Sequence, residues 1–222
     1  MEIRMIGEAA EDYLKAIWKL GRNGRVSTSA LASELGVSAA SATGMLKKLA
    51  GLRLVAHERY RGAALTPAGE RVALEVVRHH RLLELYLTEA LGLGWDEVHD
   101  EADRLEHHLS EELEARIDAA LGHPRRDPHG DPIPSVDLEL EGQETRPLTE
   151  VAEGVSAVVA RVPGEDAGLL RYLAELGLAP DSEVVVVERA PYGGPVTVAV
   201  GGRRHAIGHE LAAQIEVGGG GG

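Results

Sequence analysis

The chain has 222 residues, 44% of them hydrophobic, which is enough for one large domain or two to three small ones with real cores and excludes a globally disordered polymer. It holds no Cys and no Phe, so disulfides, thiolate metal sites, iron–sulfur clusters and cysteine nucleophiles are excluded and the core must be built from Leu, Val, Ala and Ile. Acidic residues outnumber basic ones 36 to 23, a net charge of −13 that at face value argues against a nucleic-acid-binding protein.

The average conceals a partition. Residues 1–76 carry 11 Lys and Arg against 8 Asp and Glu, residues 77–142 carry 6 against 17, and residues 143–222 carry 6 against 11. A partner meets one surface rather than the mean, so the mildly basic first segment and the strongly acidic second one call for separate readings. No apolar run reaches the ~18 residues of a membrane span and Met1–Arg4 lacks the features of a secretory signal, so a cytoplasmic chain with no membrane partner is expected.

In chain order, apolar residues at Ala9, Tyr13, Ala16, Ile17 and Leu20 predict a helix over Glu8–Leu20. Ser27 opens a short helix through Leu35, Gly36-Val37 makes a tight turn, and Ser38 caps a helix running to about Leu49. Val37 and Leu46 are expected to plug the core these two helices share. Leu52–His57 and Ala63–Leu65 read as a hairpin around Arg59-Tyr60-Arg61-Gly62. Thr66-Pro67 starts a long helix to about Leu91, and a second long helix is predicted from Asp96 to Leu121 with a core stripe of Val98, Ala102, Leu105, Leu109, Leu113 and Ile117. Gly122–Gly142 is proline-rich and reads as a linker. Beyond it, Val155–Val162, Val184–Glu188 and Val196–Val200 read as strands of a small, partly open barrel, with one helix at Asp166–Leu176 and a flexible glycine tail at 218–222. The expected fold is mainly α with a small β domain, divided at 1–76, 77–142 and 143–217.

The first segment has the spacing of a winged helix-turn-helix. Ala32 is small where two helices cross, and Gly36 permits the positive φ of the turn. Ser38, Ala40, Ser41 and Thr43 on the second helix are small enough to approach a major groove but offer few bidentate base contacts. Lys47, Lys48, Arg59 and Arg61 stand where phosphates would flank helix and wing, and between Arg22 and Gly62 seven basic residues face only two acids. Double-stranded DNA is the expected partner, read through thymine methyls, water and DNA shape.

The acidic segment carries a second pattern. His80 and Glu84 are one helical turn apart, and His99, Asp103, Glu106 and His107 fall within one sector of a continuous helix. Imidazoles and carboxylates converging in a helix bundle have the composition of a divalent-cation site. His79, His108, His123, His129, His205 and His209 read as solvated or merely hydrogen-bonded. No HExxH, Ser/His/Asp order or phosphate loop is present, so no enzymatic activity is expected.

The segments AEDYLKAIWKL, VSTSALASELGVSAASATGMLKKL, LTPAGE, HHRLLELYL, VHDEADRLEHHLSEEL and DPHGDPIP together resemble the diphtheria-toxin-repressor family of metal-dependent transcriptional regulators. Residues 150–217, with ELGLAP and GPVTVAVGGRRHAIGHELA, resemble the SH3-like domain of its longer members. The resemblance implies a homodimer with an N-terminal winged helix, a helical dimerisation domain and an SH3-like barrel. It implies a primary metal site of Asp12, Asp103, Glu106 and His107 and a second of His80, Glu84 and His99 with help from Glu165 or Asp166 of the third domain. Oxygen donors at Asp12 and Asp103, where iron-responsive members have sulfur, favour Mn²⁺, with Fe²⁺ as the alternative and other divalent ions binding in vitro. A Mn²⁺-activated repressor of metal-uptake genes is the expected function, no organic ligand being required; a winged-helix regulator sensing an organic ligand is the alternative. On this reading Asp103→Ala abolishes metal-dependent DNA binding and His129→Ala does not.

Overall fold

The computed structural model describes residues 6–21, 24–58, 61–142 and 144–219. They form two compact units. The first comprises the described residues up to His80 together with Leu105–Ser110 and Pro134–Glu139, and the second comprises the remainder.

In the first unit, α1 (Glu8–Leu20), α2 (Thr28–Glu34) and α3 (Ala39–Gly51) precede the hairpin β1 (Val55–Glu58) and β2 (Gly62–Leu65), and α4 (Pro67–Glu89) begins directly after it. Ser27 and Ser38 accept from the backbone N–H groups of Ala30 and Ser41 at 3.1 Å, capping α2 and α3. Gly36 turns the chain between them at φ +62°. Leu14, Ile17, Leu31, Ala42, Leu46, Leu49 and Val55 fill one continuous core. Val37 does not join it. Its side chain is exposed because the turn points it outward, and the shared core is closed by Leu46 alone of the predicted pair. The first hairpin strand begins at Val55, not Leu52, because α3 runs on to Gly51 and a turn follows.

The predicted helix over Asp96–Leu121 is two helices. α5 (Val98–Leu105) ends in a 3-10 turn at Glu106–His108, Leu109 is extended, and α6 (Glu111–Ala120) starts afresh. Ser110 precedes Glu111, Glu112 and Glu114, an N-cap residue ahead of acids that the positive helix end favours. The break ends the continuous apolar stripe, and Leu105 and Leu113 are accordingly exposed whereas Val98, Ala102, Leu109 and Ile117 are buried. The Gly122–Gly142 segment is likewise no loose linker. Between Arg125 and Ile133 it folds back on itself, with Ile133 N–H donating to Arg125 O and Asp127 N–H to Asp131 O.

The C-terminal half of the second unit is a six-stranded antiparallel sheet in the order β3-β8-β4-β5-β6-β7. Its strands are β3 (Arg146–Pro147), β4 (Ser156–Arg161), β5 (Glu183–Arg189), β6 (Val196–Val200), β7 (Arg203–Ile207) and β8 (Glu216–Gly219), accompanied by α7 (Ala167–Leu176) and α8 (His209–Gln214). Alternating valines of β4, β5 and β6 meet Leu170, Leu173, Ile207 and Ile215 in its core. Two of the tail glycines belong to the sheet: Gly218 and Gly219 pair with Val158 and Ala157. Backbone pairing, which needs no side chain, explains why composition concealed this strand. Among the described residues, no helix is long and apolar enough to cross a membrane.

Candidate metal centres and nucleic-acid interface

The first unit gathers Asp12, Glu106 and His107, with one ligand atom of each within 4.8 Å of the others. Asp12 comes from α1 and the other two from the 3-10 turn. His107 Nε2 lies 2.9 Å from Asp12 Oδ1 and 3.6 Å from Glu106 Oε1. On its other edge Nδ1 donates to Glu11 Oε2 at 2.7 Å. Two carboxylate partners, Asp12 foremost and then Glu11, outweigh burial and push the His107 imidazole up to about 10. Glu11 is thus an outer partner that fixes the ring and leaves Nε2 to face the group once deprotonated.

Glu106 is 1% exposed and is surrounded by cations and imidazoles. Its carboxylate accepts from Lys15 Nζ at 2.7 and 3.0 Å, and His80 Nδ1 stands 2.6 Å from Oε2. His79 Nδ1 lies 3.1 Å from the Glu106 carbonyl oxygen. Of the residues implied for the primary site, Asp103 belongs to the other unit. There its Oδ2 is 3.8 Å from His99 Nε2. His80, implied for the second site, has its partners Glu106 and Lys15 in the first unit.

The second unit holds Glu84, Asp127 and His129, all buried and again with one ligand atom each within 4.8 Å. Glu84 sits on α4, whereas Asp127 and His129 come from the folded-back loop. Asp127 Oδ1 accepts from the backbone N–H groups of His129 and Asp131, both at 2.9 Å, so the loop is wound around its own carboxylate. His129 Nε2 donates to the Trp95 carbonyl at 2.8 Å and its ring stacks near Trp95, centroids 5.9 Å apart. That fixes the tautomer and turns Nδ1 toward Glu84 Oε2, 3.7 Å away. Burial works against the His129 charge, but the Glu84 hydrogen bond and the Glu84 and Asp127 charges prevail and raise it to about 9. Burial, with the Glu84 and Asp131 charges, pushes the Asp127 carboxyl up to about 7 against the pull of Arg81 and His129. The other Glu84 oxygen accepts from His99 Nδ1 at 3.1 Å.

The β domain braces this loop. Val162 N–H donates to His129 O at 3.0 Å, and Arg161 reaches both Asp131, at 3.1 Å, and Glu216. A Cβ on Gly164 would stand 2.7 Å from the His129 ring, so only glycine lets the strand end lie against it. Asp166 Oδ1 accepts from Leu169 N–H at 2.9 Å and caps α7.

His129, Asp127 and Glu11 escaped sequence reasoning. The signal for the first two was present in the DPHGDP motif, an imidazole flanked by acids two residues to either side, but helical spacing cannot register ligands carried by a loop.

On the DNA-facing candidates, Ser38, Ala40 and Ser41 are exposed at the start of α3 and Thr43 is half-buried. The hydroxyls of Ser38 and Ser41 bond each other at 2.9 Å and Thr43 donates to the Ala39 carbonyl at 2.7 Å, so the base-facing surface offers small groups rather than long donors. Lys47 and Lys48 are exposed. Arg61 is exposed and pairs with Glu58 at 3.2 Å. Arg59 lies outside the described residues.

Known proteins share this order of domains. Residues 5–63 match the iron dependent repressor N-terminal DNA binding domain, residues 66–135 the iron dependent repressor metal binding and dimerisation domain, and residues 146–218 the FeoA domain. The iron-dependent repressor IdeR of Mycobacterium leprae (strain TN) is 32% identical over 95% of this chain and 96% of its own. The diphtheria toxin repressor of Corynebacterium diphtheriae is 30% identical over 95% and 96%. A solved manganese-dependent transcriptional repressor in complex with manganese is similar at a TM-score of 0.87 and 44% identity, covering 94% of this chain and 98% of that one. A DNA-binding domain, a helical metal-binding and dimerisation domain and a small β domain, in this order and matched over nearly the whole length, place the chain in the iron-dependent repressor (diphtheria-toxin-repressor) family of metal-dependent transcriptional regulators.

Proposed function

We propose that the protein is a homodimeric, Mn²⁺-activated repressor that binds operator DNA through α3 and its wing. The metal is held by Asp12, Glu106 and His107 in the first unit and by Glu84, Asp127 and His129 in the second. The chain acts as a DNA-binding regulator and not as an enzyme, in keeping with its family.

The observation that carries the choice of metal is the donor set. Each group offers two carboxylates and one imidazole and no sulfur. Hard oxygen with a single nitrogen suits Mn²⁺, while softer sets with thiolate or thioether suit later metals. Fe²⁺ is the second reading, favoured by the iron-dependent naming of the relatives. A bound divalent ion supplies local positive charge and Lewis acidity; the residues do the rest. Glu11 orients His107, Trp95 orients His129, and Asp12 carries the effect to the DNA-binding helices because α1 packs with α2 and α3 in one core.

Without an ion, the Asp12 and Glu106 carboxylates rely on protons and ammonium groups for compensation. With one, α1 is clamped to the Glu106–His108 turn, and the recognition helices of two subunits are held for successive major grooves, roughly 34 Å apart. Metal and DNA must then tighten one another by the same factor. Exposed Leu91 and Leu113 give the second unit apolar surface of the kind that dimer formation covers. Fluorescence anisotropy of operator DNA with Mn²⁺, Fe²⁺ and Zn²⁺ tests the reading. Tighter DNA binding with Mn²⁺ at micromolar concentration is expected; equal affinity with and without any divalent ion overturns it.

A further inference from the structure

The cluster around Glu106 contains a cation already. Lys15 Nζ lies 2.7 Å from Glu106 Oε2, 3.0 Å from Oε1 and 3.0 Å from His80 Nδ1. A carboxylate gripping with both oxygens and an imidazole nitrogen are the groups with which a divalent ion would be bound. On its far side the same Glu106 carboxylate approaches His107, whose Nε2 is 3.6 Å from Oε1 and which belongs with Asp12 to the candidate centre. Glu106 is therefore shared between two cation positions, one formed by Asp12 and His107 and one filled by an ammonium on a side chain anchored in α1.

Lys15 is held there by the fold. Tyr13, Leu14, Ala16 and Ile17 around it on α1 are buried, so the backbone of this turn cannot shift, and the Lys15 side chain retains 22% of its exposure while its partner Glu106 retains 1%. A buried carboxylate of this kind requires an opposing charge, and an ammonium delivered by the chain supplies it whatever the metal supply.

We propose that the Lys15 ammonium is a built-in cation occupying the place of a second metal ion beside Glu106, which holds this centre to one divalent ion and weakens the hold on that ion. The proposal rests on the reading of Asp12, Glu106 and His107 as metal ligands. Its physical content is twofold. The ammonium occupies the volume and lone pairs that a second ion would need, and its charge, a few ångströms from the first ion, raises the metal concentration at which the centre fills. Lys15 thus sets the stoichiometry and the threshold of the centre.

The test is a Mn²⁺ count and titration on the full-length protein, by equilibrium dialysis with elemental analysis and by electron paramagnetic resonance, for wild type, K15M, K15Q and K15R. The neutral variants are expected to take up one more Mn²⁺ per chain than wild type and to bind the first about tenfold or more tightly, because the repelling charge is gone. The added ion shares Glu106 with its neighbour, so the resonance spectrum of the loaded neutral variants should show a coupled pair. K15R keeps the charge and should keep the wild-type count. If a folded neutral variant, by circular dichroism, binds the wild-type number of ions at wild-type affinity or fewer, Lys15 is not a cation surrogate. K15Q answers the question if K15M fails to fold. Should wild type itself bind no Mn²⁺, or keep its full count when Asp12 and His107 are both replaced by Ala, the reading of the centre fails and the proposal with it; a wild-type centre that fills normally isolates the Lys15 question.

Discussion

The two candidate metal centres are built from the same donor types and differ in almost everything else. In the first unit, Asp12 is 44% exposed at its side chain, the imidazole of His107 is clamped between two carboxylates, and an ammonium stands alongside. In the second, Glu84 and His129 are 3% and 2% exposed, and Asp127 and His129 lie in a loop that the β domain holds through the Val162–His129 backbone bond. The first is the more exposed and has a cation alongside; the second is buried and braced. A short turn and a braced loop thus set one inventory of donors in two different surroundings.

The largest expected effect separates them. Glu106→Gln removes the carboxylate shared by Lys15, His80 and the candidate ion, and should reduce Mn²⁺-dependent operator affinity by about a hundredfold or more, beyond the 10–100-fold range for losing an outer partner. Glu84→Gln should remove the second centre's ion while leaving the first centre's titration in place. Identical anisotropy curves for both variants would mean that the centres are not distinct in function. For the same reason His129→Ala is now expected to matter, contrary to what its sequence position implies.

Next comes pH. His107 and His129 are raised to about 10 and 9, so both carry protons at neutral pH that an ion must displace. Mn²⁺ affinity should therefore rise with pH, by about tenfold per unit for each displaced proton, and calorimetry in buffers of different ionisation heat should reveal the release. The metal-free protein runs the other way. His107 and His129 have folded pKa values above the ordinary imidazole value of 6.5, so the stability they contribute is fully present below that pH and lost as pH climbs toward 9 and 10. Asp127, raised to about 7, acts in the same direction from lower pH. Thermal midpoints of the metal-free protein that increase from pH 7 to 10 would contradict these assignments.

A smaller effect tests the brace. Arg161→Met breaks the contacts to Asp131 and Glu216 and should weaken Mn²⁺ at the second centre by about tenfold, as for other outer partners, with no change at the first. Equal loss at both centres would count against the brace. Smallest of all, Lys47→Ala should leave both metal titrations untouched in the absence of DNA and lower the salt slope of operator binding by about 1.

Much of this was legible beforehand, for identifiable reasons. α1 to α4 and the wing carry apolar stripes, serine caps and a glycine turn, each a local signal with a local cause. Glu106 and His107 emerged from spacing although the single long helix presumed to carry them breaks at a 3-10 turn; both side chains are nonetheless buried, at 1% and 8% exposure. The break was signalled by Ser110 ahead of three acids, a start signal masked by an apolar stripe that ran through it. Asp127 and His129 were signalled only by the DPHGDP motif, because residues carried by a loop obey no helical period. Only the fold brings Lys15 to Glu106, ninety-one positions away.

Gly130 carries a consequence of a genetic kind. It sits at φ +90° where a Cβ would overlap the Ala160 carbonyl and come within 2.9 Å of the Arg161 Cα. Every other residue is a wedge there, so Gly130→Ala amounts to a single-codon key that prises the Asp127–Asp131 loop from β4 with all six candidate ligands intact. Cells carrying it would display the regulon as the first centre governs it alone, and second-site suppressors should arise at the strand that lost its fit before any arise among the ligands.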